Sequence, residues 1–145
     1  MSASDEAPPF TMAVELGKIR EFARATKSTS PEHTGAPGDA PIMPPTFLAT
    51  STFWQGPEHS AMKGMGVQSA RILHGGQEFT FHGEPPRAGA VLTGRQRVDK
   101  VYEKEGKRGG TMRFIELITD YHDDSGQLVA ESRSTVIETS KATGA

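Results

Sequence analysis

The chain has 145 residues, enough for one domain with one apolar core. Its 16 basic and 18 acidic side chains leave a net charge of −2, so no global field draws it to nucleic acid or an anionic membrane. It has no cysteine, which excludes disulfides, thiol nucleophiles and cysteine zinc sites and suits a cytoplasmic location.

Residues 1–9 are small and polar, unlike a signal peptide, and are expected to be disordered. In residues 10–16 Phe10, Met12 and Val14 alternate with polar or small residues, which predicts a short strand. Ile19, Phe22 and Ala23 lie at helical spacing and predict an amphipathic helix over residues 18–26. Residues 27–41 are rich in Ser, Thr, Gly and Pro and predict a long loop. Pro44 and Pro45 then open a second helix over residues 45–54, because proline loses no partner in a first helical turn. Phe47, Leu48 and Trp54 share one side of it with the small Ser51, which predicts a buried helix. Residues 55–66 read as an irregular connection.

Residues 69–82, 90–103, 111–122 and 128–140 are rich in Val, Ile, Thr, Phe and Tyr. The turn segments GEPPRAG, KEGKRGG and DDSG separate them, giving three hairpin signals in succession. Residues 141–145 form a tail. No apolar run approaches the ~20 residues that cross a bilayer, so no membrane insertion is expected. An antiparallel sheet with one mostly apolar helix has one economical solution, in which the sheet wraps the helix. The expected class is α+β with the hot-dog fold, one domain over residues 10–140.

The order and the residues resemble the MaoC-like dehydratase family, which includes (R)-specific enoyl-CoA hydratases, over about residues 10–139. That family carries aspartate, any residue, asparagine, proline, any residue, histidine after a short helix. Here the pattern falls on Ser28, Thr29, Ser30, Pro31, Glu32 and His33. Pro31 and His33 match; Ser28 holds the aspartate position and Ser30 the asparagine position. APIMPPTFL (residues 40–48) resembles the approach to the central helix in N-terminal-type dehydratase subunits, and LHGGQEFTFHGEPPRAG (residues 73–89) resembles the strand and turn after it.

The resemblance implies hydration of a 2-enoyl thioester. Negative charge then builds on the thioester oxygen and needs donors. A helix N-terminus supplies N–H groups and a positive dipole end. Pro44 and Pro45 cannot donate, so the Thr46 N–H is the first candidate. A carboxylate and a histidine together activate the water and move its proton, help worth roughly 10²–10⁴-fold. The Ser28 hydroxyl is a far weaker base than aspartate, although it can hold a water.

Each candidate also has a local reading. His33 could merely hydrogen-bond within its loop, and Ser28 and Ser30 could be turn residues before Pro31. Thr46 could be a helix cap. Phe47 and Trp54 could fill the core or wall an acyl chain. His74 with Gly75 and Gly76 marks a bulge or a close approach. Glu32, Asp39 and Glu58 are the nearest substitute carboxylates. The five histidines, His33, His59, His74, His82 and His122, lack paired metal-ligand spacing, and His82 and His122 read as surface residues. The basic stretch of residues 104–108 reads as a solvated hairpin tip, with contact to a CoA phosphate as the alternative.

The resemblance therefore implies an acyl-CoA or acyl-carrier thioester substrate and no cofactor. It also implies assembly as a homodimer, or as a heteromer with a second hot-dog chain carrying an intact Asp/His pair. The alternative is a non-catalytic hot-dog dimer that binds acyl-CoA. Thioesterase chemistry is disfavoured, because no carboxylate is displayed for it.

Overall fold

The computed structural model describes residues 6–36 and 38–141. Its elements are β1 (Phe10–Ala13), α1 (Leu16–Ala25), α2 (Pro31–Thr34), a central 3₁₀ helix (Phe47–Trp54), β2 (Ile72–Phe81), β3 (Val91–Glu105), β4 (Thr111–His122) and β5 (Leu128–Glu138). All strand pairs are antiparallel, and the sheet order is β1-β3-β4-β5-β2.

Two of the three expected hairpins form, β3–β4 and β4–β5. The third does not. β2 pairs with β5 at the edge opposite β1, so the segment GEPPRAG carries the chain across the sheet. The cause lies in the partners of that turn. Ile42 bridges to Arg87, the Met43 N–H donates to Pro86 C=O, and the Ala88 N–H donates to Pro41 C=O. The turn backbone is satisfied by residues 41–43 and so does not close a hairpin.

The sheet also extends further towards the N-terminus than expected. Glu6 bridges to Arg97, and the Ala7 N–H donates to Gln96 C=O. Of the stretch 1–9 expected to be disordered, residues 1–5 lie outside the described residues, as does the tail beyond Lys141. β2 begins at Ile72, after a 3₁₀ turn at Ser69–Arg71.

One face of the sheet carries the main core. Phe10 and Met12 of β1, Leu92 of β3, Tyr121 of β4 and Ala130 of β5 pack with Ile19 of α1, Met43, Phe47 and Leu48. Gly94 is required there: a Cβ at that position would overlap the Phe10 ring. A smaller cluster of Val98, Ile115, Leu117 and Val136 lies beneath Ala61, Met62, Met65, Val67 and Ile72. The irregular segment between the central helix and β2 thus serves as a lid on the second half of the face.

The second helix is 3₁₀ rather than α, and begins at Phe47 rather than Pro45. Thr50 Oγ1 donates to Phe47 C=O at 2.7 Å, a local bond that competes with regular helix geometry. At three residues per turn, Leu48, Ser51 and Trp54 stack on one side. Leu48 and Ser51 are buried and Trp54 packs on the core, while Phe53 is turned outward and is 79% exposed. Among the described residues no helix is long and apolar enough to cross a membrane.

Candidate functional site

Ser28 owes its place to the way α1 ends. The Ser28 N–H donates to Ala23 C=O at 2.8 Å and the Lys27 N–H to Arg24 C=O at 3.1 Å. This is the paired helix stop that usually places glycine in the left-handed position between. Here Lys27 takes that conformation, with φ 58°. Ser28 is therefore part of a helix cap, and its half-buried side chain lines an open hollow of about 280 Å³ with Arg20, Arg24 and Thr34.

α2 is a single turn inside the expected loop. Ser30 is its N-cap and Pro31 its first residue, the position where a missing N–H costs nothing. The Ser30 side chain makes no cap bond; its C=O accepts from the N–H groups of His33 and Thr34. His33 Nδ1 lies 3.1 Å from Ile42 C=O. A carbonyl only accepts, so Nδ1 carries a proton and donates to it; in the neutral tautomer that this bond selects, the lone pair is on Nε2. The Ile42 N–H donates to Glu32 C=O at 2.8 Å. Two bonds thus tie α2 to the segment that leads into the central helix, and Thr46 lies at most roughly 14 Å of chain beyond Ile42.

None of the three substitute carboxylates touches His33. Asp39 accepts the Ala36 N–H at 3.0 Å, and Glu58 lies 3.6 Å from His59 Nδ1. Glu32 is exposed, and only its backbone serves Ile42. The His33 ring makes no ion pair among the described residues.

Thr46 is the exposed N-cap of the central helix, with no side-chain cap bond. The Phe47 N–H donates to Pro44 C=O, whereas the Thr46 N–H has no backbone acceptor among the described residues. Phe47 is fully buried and meets Phe22 edge to face at 5.5 Å. Trp54 is half-buried against the same core. These two aromatics sit where a core needs them.

His74 and Gly75 belong to a different region. His74 is exposed on β2 opposite Val136, and the register shifts between His74 and Gly76, as two adjacent glycines suggested. A Cβ on Gly75 would come within 2.8 Å of Ile137 Cδ1, so this glycine serves strand packing. His82 pairs with Glu131 at 2.8 Å. A hollow of about 430 Å³ beside Glu6, Arg95, Asp120 and His122 contains none of the expected site residues. Among the described residues no group of histidines and carboxylates could hold a metal ion.

Sequence reading missed Tyr121. Its buried phenol donates to Ser51 Oγ at 3.0 Å, and Gln55 Nε2 donates to the same oxygen at 3.2 Å. Burial pushes the Tyr121 pKa up, and its bonds to Ser51 and Ser132 partly oppose this. The phenol therefore stays a neutral pin between β4 and the central helix. No local pattern marks it; only the pairing of Tyr121 with Ala130 and Gly94 shows which way it faces.

The pattern of the FAS1-like dehydratase domain region matches residues 4–132. The chain belongs to that family. It is 31% identical over 137 residues to a UPF0336 protein of Streptomyces griseus, covering 89% of this chain and 87% of the relative. Its fold is that of the 3R-hydroxyacyl-ACP dehydratase complex HadBC of Mycobacterium tuberculosis, with TM-score 0.71 at 23% identity over 94% of this chain and 99% of that one. It is likewise similar to the ChsH1-ChsH2 complex of the same organism, with TM-score 0.68 at 17% identity over 99% and 88% of the two chains. The resemblance to MaoC-like dehydratases and (R)-hydratases holds, and the fold is the hot-dog fold.

Proposed function

We propose that the chain is the non-catalytic half of a hot-dog enoyl-thioester hydratase, which run in reverse is a 3-hydroxyacyl-thioester dehydratase. A second hot-dog chain with an intact Asp/His pair completes it. One observation carries this reading: Ser28 occupies the acid position, and the His33 ring is bonded to a backbone carbonyl and, among the described residues, pairs with no carboxylate.

Hydration needs a base to take a proton from water as its oxygen bonds Cβ. The alkene electrons move onto the thioester oxygen, and a proton returns to Cα. His33 Nε2 can hold the water, but nothing here shares its proton. The unengaged Thr46 N–H is suited to the thioester oxygen. The partner supplies acid–base help worth roughly 10²–10⁴-fold, while this chain shapes the acyl channel and binds the CoA or carrier thioester without a cofactor.

Two features support a partner. Among the described residues β2 pairs only with β5, leaving a ten-residue free edge, and unpaired edges are normally covered. Phe53 exposes an aromatic ring on the central helix. Two similar folds also come from complexes of two named chains.

The test is hydration of crotonyl-CoA by the purified chain, alone and mixed with a hot-dog protein that has the intact pair. The expected result is background turnover alone and clear turnover in the complex. There, His33→Ala should keep kcat within roughly tenfold. Brisk turnover by the isolated chain, abolished by His33→Ala, overturns the proposal. Thioester binding without turnover in either state would instead mark a non-catalytic dimer.

A further inference from the structure

Both core clusters lie on the inner face of the sheet, where α1 and the central helix pack. Side chains alternate between the two faces along a strand, so the neighbours of Ile115 and Val136 point to the outer face. In register, Tyr102 of β3 pairs with Phe114 of β4, Phe114 with Ile137 of β5, and Ile137 with Leu73 of β2. These four side chains form one apolar row across four strands of the outer face. Leu73 is 44% exposed and the other three are half-buried. Single apolar residues on a surface are ordinary, but a contiguous row rimmed by charge marks an interaction surface.

The row is uneven in shape and in charge. Its β3–β4 half is bulky, because the Tyr102 and Phe114 rings stack with centroids 5.1 Å apart and Lys104 Nζ lies over both. Its β5–β2 half is low, because Gly75 and Gly76 lie beside Ile137 and Thr135 and carry no side chain. Next to the row, Arg133 sits between Asp99 at 2.7 Å and Glu116 at 3.1 Å. This cluster engages the cross-strand neighbours of two exposed charges. Lys100 stands opposite Glu116, and Glu78 stands opposite Arg133. Neither Lys100 nor Glu78 makes an ion pair among the described residues. The outer face thus ends in a cation on β3 and in an acid on β2.

We propose that this outer face docks a second copy of the chain, back to back. A two-fold axis along the strands reverses the strand order, so β3 of one copy meets β2 of the other. Each ring stack then lies on the low, glycine-bearing half of the opposite row, and each Lys100 end meets a Glu78 end. A two-fold contact uses one patch on both copies and needs this self-complementarity. Stacked sheets lie about 10 Å apart, a gap that rings on one side and glycines on the other fill without clash. The contact runs perpendicular to the sheet and leaves the β2 edge free. It therefore goes beyond the hydratase reading and does not depend on it; with the partner of that reading bound at the edge, the assembly holds two copies of each chain.

Sedimentation equilibrium of the full chain tests this. A reversible dimer is expected. Lys100→Glu and Glu78→Lys should each weaken it roughly tenfold, because each sets like charges face to face at both ends of the contact. An equal mixture of the two single variants should recover the wild-type affinity, since Glu at position 100 of one copy then meets Lys at position 78 of the other. Phe114→Ala should abolish the dimer while circular dichroism stays unaltered. The charge variants lie on the exposed surface and keep the test valid if Phe114→Ala fails to fold. A chain that stays monomeric at every concentration overturns the proposal. So does a dimer that ignores both charge reversals, as pairing through the β2 edge would, or weakening by the single variants that mixing does not repair. Absence of crotonyl-CoA hydration with the second hot-dog chain counts against the hydratase reading alone, because self-association is measured without it.

Discussion

The two ends of the sheet's inner face are closed by different means. At the β1 end, α1 and the central helix cover it with apolar side chains, and Phe10, Phe47, Leu48 and Tyr121 are each at most 3% exposed. At the opposite end of the strands, where β2 begins, the smaller cluster is bordered by charge. Glu138 accepts the Gln68 N–H at 2.9 Å and pairs with both Arg71 and Arg113. Beyond that lock, residues 73–78 of β2 are exposed. One end is closed by burial, which is insensitive to pH and salt. The other is held by ionised groups and leaves an edge open, which suits a surface that receives another chain.

The most severe way to break this contrast is Phe47→Ala. It should cost about 3–5 kcal/mol by urea unfolding, equally at neutral and mildly acid pH; a cost below about 1 kcal/mol would show that the β1 end is not closed by packing. Next comes Glu138→Gln, expected to cost about 2 kcal/mol at neutral pH. The Gln68 N–H, followed by the Arg113 and Arg71 guanidiniums, holds the Glu138 carboxyl below its ordinary value of 4.5, against the opposing effect of burial. A lowered folded-state pKa gives stability that is present above the unfolded value and lost as pH falls through the folded one. The gap between wild type and Glu138→Gln should therefore narrow below about pH 4.5, whereas the Phe47→Ala gap persists. A pH-independent gap at Glu138 would erase the distinction between the two ends.

Two smaller effects sharpen it. Tyr121→Phe should cost about 1 kcal/mol, since it removes the buried phenol's bond to Ser51, leaving that oxygen the Gln55 donor alone, while keeping the ring. No loss in thermal unfolding would show that the phenol pin is idle. Lys27→Gly should add about 0.5–1 kcal/mol, because glycine takes the left-handed helix stop without strain. Destabilisation there would show that the Lys27 side chain makes a contact the helix end needs.

Much of this architecture was legible locally. The alternation of Phe10 and Met12, the helical spacing of Ile19 and Ala23, and the Val- and Thr-rich runs after residue 110 are short-range patterns. They identify β1, α1, β4 and β5 to within a few residues. The 3₁₀ geometry of the central helix was harder to see, because it reflects the Thr50 back-bond and the apolar row Leu48, Ser51, Trp54, whose spacing also fits an α-helix approximately. The position of β2 was misread for a plainer reason. GEPPRAG has the composition of a hairpin turn, and only its pairing with residues 41–43 diverts the chain to the far edge.

By itself the sequence determined the family, the α+β class and the replacement of the expected acid by Ser28, since these depend on residue identity and local periodicity. Only the tertiary structure decided the strand order, the proton on His33 Nδ1, the role of Tyr121 and the apolar row on the outer face. Each of these is a question of partners. A carbonyl nine residues away sets the histidine tautomer, a serine seventy residues away engages the phenol, and Tyr102, Phe114, Ile137 and Leu73 line up because three strand registers align them. Partners distant along the chain leave no local pattern, because spatial proximity is created by the sheet and not by spacing.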